Sequence, residues 1–574
     1  MNYRARFSFL EKAQEIFNAF SRSGRLLFYT LAALCAISAF GLVYILNASL
    51  LVTVPARGGD LTEGILGSPR FINPILAVSE ADRDLTVLTF SGLLRATPQG
   101  QYIPDLAESY TVSDDGTEYV FVLKPDLTFH DGTPITADDV VFTIDKTQDS
   151  ALKSPVRANW DGVLVQKLNE KTIQFKLKAP YSPFLENLTL GILPKARWQS
   201  VSDDEFPFSD LNTHPVGSGP FKVQSIANTS AGIPSSYTLT PFAQAALGAP
   251  YLTLTLKFFQ NEAAIASALK NGTIESASGL SAKTLKDLGD IRVEHDALSR
   301  VFGIFFNQNQ SVVLRDADVR EALNNSIDRT ALLEHVLAGY GVALDGPTPQ
   351  SLWTRPQSGE TDLVAAAKQK LLSRGWKMGE DGVLTKTTGT GKAAKNTELI
   401  ITISTGNVSE LRAAAEFVKE SWTTLGAKVE VQIYEQGDLS QNIIRPRKYD
   451  ALLFGEVIGR QGDLFAFWHS SQRNDPGLNI AMYANRQADS LLAQIRSSQE
   501  QAQRKKLLEQ FENEIRKDTP AVFLYAPDFV YTVPNDLKGL VSGFISSPSD
   551  RFLTAPMWHR EVEFVWPIFA SKNL

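Results

Sequence analysis

Leu399-Ile400-Ile401-Thr402-Ile403, then Leu411, Ala414, Ala415, Val418, Trp422 and Leu425, then Val429, Val431 and Ile433: this run decides the class of fold. The first segment carries no charge and reads as a buried strand. The six apolar positions that follow recur at helical spacing, and Gly426 stops that helix. The last three alternate, as in a strand with one covered face. A strand, a helix and a strand in close succession predict a right-handed parallel crossover, and so a mixed α/β fold.

The segments on either side agree. Tyr119–Leu123 alternates in part and ends at the turn Pro125-Asp126, and Val163–Leu168 and Thr172–Leu177 flank Asn169-Glu170 as a hairpin. Thr136 is placed to cap a helix whose first turn holds Asp138 and Asp139. Gln487–Lys517 is helical, with Leu491, Ile495, Leu507, Leu508, Phe511 and Ile515 on one face and a break near Ser498. The Gly-, Thr- and Lys-rich stretch Lys386–Asn396 reads as a surface loop. No repeat recurs along the chain.

The N-terminal part is different in kind. No charged residue occurs from Leu26 to Ala56, and Leu26–Leu46 supplies the roughly 20 apolar residues that a membrane crossing needs. Secretory signals have shorter apolar cores, and Asn47-Ala48-Ser49 is a poor cleavage site, so an uncleaved anchor is expected, with a cleaved signal as the alternative. Arg4, Arg6, Lys12, Arg22 and Arg25 precede it against Glu11 and Glu15, which places the N-terminus in the cytoplasm and everything after about residue 57 outside. Phe9, Ile16, Phe17 and Phe20 give residues 1–25 an apolar helical face for the membrane surface. Residues 47–59 read as a linker turned by Pro55 and Gly58-Gly59.

Composition narrows the function. The chain has 574 residues, 43% of them hydrophobic, enough for roughly two to four domains beyond the anchor. A net charge of −7 argues against nucleic acid as a partner, since no basic stripe would track phosphates. Cys35 is the single cysteine, so no disulfide within the chain and no cysteine metal site can form. Leu34 and Ala32 before it do not make a lipidation box, and it reads as a small apolar residue of the anchor. The six histidines lack metal-ligand spacing, and no metal or cofactor is expected.

Short motifs that invite a catalytic reading have simpler structural ones. In Phe129-His130-Asp131-Gly132 the adjacent His and Asp point different ways on a strand, and no nucleophile is near; a strand end and an Asp-Gly turn account for it. Ser113-Asp114-Asp115-Gly116 lacks the alternating oxygens and distant Glu of a calcium loop, and reads as a tight turn. Gly389-Thr390-Gly391-Lys392-Ala393-Ala394 has dinucleotide-loop spacing without a strand leading into it. Gly217-Ser218-Gly219 is a compact turn where backbone can approach a ligand. Nothing here supports an enzyme.

Several segments in order resemble one family. Gly92-Leu93-Leu94, Ile103–Tyr110, Ser113–Gly116 and Tyr119-Val120-Phe121 form a first block; Phe129–Val140 is similar to the family's most distinctive string. Pro215–Phe221, then Val319–Leu323 with Ser326–Arg329, then Tyr483 through Leu491-Leu492, and Thr519–Tyr525 complete it. The resemblance, over roughly residues 60–545, is to the extracytoplasmic solute-binding proteins of family 5, which serve ABC importers of oligopeptides, dipeptides and nickel. It implies a two-lobed periplasmic-binding-protein-like fold of type II, with an extra inserted domain, here behind one N-terminal transmembrane helix. The expected divisions are 60–92 and 214–305 for the first lobe, 93–213 for the inserted α/β domain, 306–518 for the second lobe, and 519–574 for the return to the first lobe and a tail.

The resemblance also points to site residues. In peptide-binding members the stretch equivalent to Gly455–His469 carries an acid that pairs with the peptide's α-amino group, and a second acid, usually followed by Pro, three residues later. Asp463 falls at the second acid, with Leu464 in place of Pro, and Arg460 falls at the first, a reversal of charge. Counting from Gly455 places it at Gly459 instead, and Glu456 or Asp463 are the acids that could take its role. Arg460 facing the cleft would favour a carboxylate or phosphate; the alternative is that it points to solvent or pairs with Asp463. Phe465, Phe467 and Trp468 are candidates for side-chain pockets or for core, His469 lies near the presumed cleft, and Asn73, Phe90 and Ser91 fall where the first lobe borders it. The expectation is a membrane-anchored receptor that takes peptides, or another small solute, and delivers them to permease subunits of an ABC transporter. A tethered sensor of the same fold is the alternative, an importer receptor for an anionic non-peptide solute another, and an exported hydrolase a third.

Overall fold

The computed structural model describes residues 7–350, 362–388, 395–460 and 462–570. Arg4, Arg6 and Gly389–Ala394 lie outside the described residues, as do the side chains of Phe9 and Glu11. The chain forms two compact units, Gly59–Trp558 and a smaller one made of Met1–Gly58 with His559–Leu574.

The strand Ala521–Thr532 is the axis of the large unit. Eleven of its twelve residues are buried, as expected of a strand covered on both faces. Its first half pairs antiparallel with Arg300–Phe306, and its second half with Val293–Ala297 and Ser276–Ser278. One twelve-stranded sheet therefore runs through it. On one side lie Arg300–Phe306, Ala451–Val457, Ile400–Gly406 and Lys428–Tyr434; on the other lie Ser276–Ser278, Asp60–Leu66, Thr253–Phe259, Pro234–Pro241 and Phe221–Asn228. These two halves are called the second and first lobe below. The expected crossover is present: Ile400–Gly406 and Lys428–Tyr434 pair in parallel, joined by the helix Ser409–Leu425, with Gly426 in the left-handed region.

The apolar face of that helix packs on one side of the second lobe's sheet with Ile401, Ile403 and Trp422. The helices Arg486–Ser497 and Gln501–Asp518, separated at Ser498, pack on the other with Leu491, Phe511 and Ile515. The first lobe has its own core around Leu61, Tyr237 and Trp558. Between Gly92 and Gly217 a separate core forms around Phe121, Phe175 and Trp160, on a four-stranded sheet that contains the expected hairpin of Leu164–Asn169 and Thr172–Lys176. Thr136 caps the helix Ala137–Gln148 in a reciprocal capping box with Asp139.

Two expectations are corrected. Lys386–Thr388 and Lys395–Asn396 are not loop: they belong to strands Leu384–Thr388 and Lys395–Glu398, paired from Thr385↔Glu398 to Thr388↔Lys395. The threonines, which favour extended backbone, outweigh the polar composition. Residues 47–59 are not a simple linker either. The apolar helix runs Arg22–Leu50, and Val52–Pro55 then forms an antiparallel pair with Val562–Val565, the chain's C-terminal strand. This helix is long and apolar enough to cross a membrane.

Candidate ligand-binding site

Helix Glu80–Thr89 ends at Phe90 and Ser91, both buried, and beside them opens a cavity of about 210 Å³. Its lining is charged: Arg95, Asp105, Glu186, Arg460 and Asp550 all face it. Burial pushes the Asp105 carboxyl up and the Arg95 guanidinium down, and each one's charge opposes the other's shift.

Arg460 comes from the loop after the second-lobe strand Ala451–Val457. Its side chain is only 4% exposed, and its guanidinium pairs with Asp550 of the first lobe. The guanidinium donates to the Phe544 carbonyl at 3.4 Å and lies 5.6 Å from the centre of the Phe544 ring. The Arg460 backbone also donates to Glu186, from the inserted segment, whose carboxyl burial raises and Arg460 lowers. The same oxygen of Asp550, Oδ2, also accepts from the backbone N–H of Ser546 at 2.7 Å and of Ser547 at 3.0 Å, and from the Ser546 hydroxyl. Arg460 thus neither points to solvent nor pairs with Asp463. It bridges the lobes through acids of its own chain.

Asp463 makes a second bridge. It accepts two bonds from Arg496, at 2.6 and 3.1 Å, and caps Phe465 at 3.2 Å. Arg496 lies between Phe465 (4.2 Å) and Tyr181 of the inserted segment (5.2 Å), and its carbonyl accepts from Ser182. Burial, then the Asp463 charge, raises the Tyr181 hydroxyl to about 12. Phe465 also stacks on His469 with centroids 4.1 Å apart.

The other expected residues lie deeper. Asn73 is buried and bonds Asn212 at 3.0 Å while accepting from Ile75. Trp468 is fully buried among Phe305, Tyr483 and Phe523. Glu456, registered opposite Val301, is buried, and neither of its oxygens has a hydrogen-bond partner among the described residues; burial raises its carboxyl well above the ordinary range. Gly217-Ser218-Gly219 packs on the end of helix Glu80–Thr89, where Gly219 donates to the Thr89 carbonyl at 2.9 Å.

A larger cavity, about 600 Å³, lies along Pro527–Val530 of the crossing strand. Gly279–Ala282, which follow the strand Ser276–Ser278, form one wall; Ser409, Glu410 and Ala413, which follow Ile400–Gly406, form the other. Ligands of open α/β sheets bind at such carboxyl ends of strands, and pockets of this size between lobes suit small ligands. Arg300 and Phe302 complete it, and the buried Nε of Arg300 has no partner among the described residues. Glu410, raised by burial, accepts from the Tyr525 hydroxyl at 2.8 Å. Sequence reasoning passed over Arg300, Glu410, Glu186 and Asp550. None carries a local motif in its own segment, and only the fold gathers them.

Residues 101–476 match the profile of the bacterial extracellular solute-binding proteins, family 5. The oligopeptide-binding protein AppA of Bacillus subtilis is 29% identical over 500 residues, 84% of this chain and 89% of its own. The structure of that protein in complex with a nonapeptide superposes with a TM-score of 0.64 at 27% identity, covering 88% of this chain and 99% of the other. NikZ from Campylobacter jejuni, in complex with Ni(L-His), shares the fold with a TM-score of 0.65 at 23% identity, covering 87% and 99%.

Proposed function

The chain belongs to the bacterial extracellular solute-binding proteins of family 5, and from that premise we propose that it is a membrane-tethered receptor that captures peptides between its lobes for an ABC importer. The observation that carries this is the 600 Å³ cavity between the carboxyl ends of Ser276–Ser278 and Ile400–Gly406, in a chain similar to an oligopeptide-binding protein over most of its length. In this reading the peptide lies extended along Pro527–Val530, where backbone groups hold it independently of its sequence. Arg300, whose buried Nε has no hydrogen-bond partner among the described residues and whose charge acts on Glu410, takes the ligand's carboxylate.

The expected site residues divide by role. Phe90, Ser91 and Arg460 border the separate charged cavity; Asp463 and Phe465 lock the inserted domain against the second lobe; Asn73 and Trp468 hold the walls from behind. The lobes are 60–92 with 214–305, and 306–518, with 93–213 inserted and 519–574 returning. The helix Arg22–Leu50 is the anchor, with the N-terminus in the cytoplasm and the binding body outside. Tethering keeps the receptor at high effective concentration near its permease.

Calorimetry of the full chain in detergent, titrated with a mixture of short peptides, tests the reading. Saturable binding is expected, with Arg300→Met lowering affinity at least about tenfold, roughly 1.4 kcal/mol. No heat with any peptide pool would sink it. A tethered sensor of the same fold is favoured by one observation, that Arg460 is already satisfied by Asp550. Peptide uptake by cells that depends on the chain separates the two.

A further inference from the structure

We propose that the C-terminal run Phe564–Ala570 is a second membrane contact, seated in the outer lipid interface beside the apolar helix. The proposal rests on the reading of Arg22–Leu50 as an anchor. From Leu26 to Leu50 that helix carries no charge, about 37 Å at 1.5 Å per residue, more than the roughly 30 Å of a hydrocarbon core. Its C-terminal end therefore reaches the headgroups.

The chain then turns at once into Val52–Pro55, and the register is specific: Val52 pairs with Val565, Thr53 with Phe564, Val54 with Glu563 and Pro55 with Val562. Antiparallel pairing at about 4.8 Å spacing brings Val565 to the level of the helix end. The strand runs toward the bilayer, so Trp566 and the short helix Pro567–Ala570 continue in that direction. Polarity follows the same axis. Arg560, Glu561 and Glu563 lie at the far end, and from Phe564 to Ala570 there is no charge.

The side chains at the near end are bare. Phe564 is 68% exposed, Trp566 43%, Ile568 72% and Phe569 57%. Water would leave this much contiguous apolar surface uncovered at a cost of several kcal/mol. Lipid is the occupant that the geometry favours, because the patch is continuous with a helix whose own apolar surface is exposed all round, and because Trp and Phe at the headgroup level are what such interfaces select. The strand pair then meets the bilayer at two points rather than one.

The test uses the full chain reconstituted into phosphatidylethanolamine–phosphatidylglycerol vesicles with acyl chains brominated near the headgroup. Retention after an alkaline carbonate wash reports the anchor independently. The expected result is retention together with a component of tryptophan emission that brominated lipid quenches and that Trp566→Phe removes; the other tryptophans belong to the large unit. Retention without a quenched component assignable to Trp566 overturns the second contact and leaves the anchor standing. A chain washed off the vesicles overturns both. Shielding of Trp566 that needs added permease, and not lipid, also overturns the proposal and gives the patch to a protein.

Discussion

Glu456 and His130 are buried titratable groups whose effects on stability run in opposite directions with pH. Burial raises the Glu456 carboxyl, so the folded state holds its proton where the unfolded chain has lost it. Stability is then full below the unfolded carboxylate range and falls as pH rises through and above it. Glu456→Met, of similar volume and without a charge to desolvate, is expected to raise Tm, and by more at pH 8 than at pH 5. Equal shifts at both pH values would show that Glu456 has a polar partner in solution. His130 is depressed to about 4, chiefly by burial. Its Nε2 faces the Gly219 carbonyl at 3.0 Å and so carries the proton of the neutral ring. The unfolded chain takes up a second proton below about 6.5, and the folded chain resists until about 4, so stability is lost as pH falls through that window, by up to about 3 kcal/mol. Denaturant titrations of His130→Gln between pH 4 and 7 are expected to show a flatter dependence than the parent chain.

The turn Pro215–Phe221 illustrates how one element is fixed by another. A Cβ on Gly217 would sit 1.9 Å from the Thr89 carbonyl oxygen, and one on Gly219 2.5 Å from the Thr89 carbonyl carbon. The turn exists to let backbone meet the end of helix Glu80–Thr89, which places Phe90 and Ser91 at the cavity. Gly217→Ala is expected to destabilise by about 1–3 kcal/mol or more through forced displacement, and to weaken ligand binding through the shifted helix end. A chemical-denaturation midpoint unchanged from the parent would refute that tight fit. Similar reasoning applies to the segment Val319–Arg329. Arg320 donates to the carbonyls of Asp518 and Thr519, and Arg329 to that of Phe523, so two buried guanidinium groups tie their helices to the start of the crossing strand. That part of the resemblance to the family is a packing device, not a ligand site.

Groups of the chain itself link the lobes and the inserted segment: Arg460 on Asp550 and Glu186, and Asp463 with Arg496 on Tyr181 and Ser182. A buried pair that loses one partner is costly, about 3–5 kcal/mol, and hinge opening relieves that cost by rehydrating the survivor. Arg460→Ala without ligand is therefore expected to show a larger radius of gyration by X-ray scattering than the parent, and to shrink on binding peptide. An unchanged radius would mean that the Asp463–Arg496 pair alone keeps the lobes at the parent's spacing.

The class of fold, the crossover at 399–433, the hairpin at Asn169-Glu170, the cap at Thr136 and the helix break at Ser498 could all be read from the amino acids, because each depends on periodicity, capping chemistry or turn residues within a few positions of one another. The apolar helix is legible for the same reason. The candidate site was legible only in part. Phe90, Ser91 and Arg460 were named through resemblance and line one cavity, while Glu186 and Asp550 beside them, and Arg300 and Glu410 at the other cavity, were not named. The pairing of Val52 with Val565 was likewise invisible. A lone charge or a short strand carries no local sign of a partner hundreds of residues away; desolvation and pairing energies arise only once folding brings the two together.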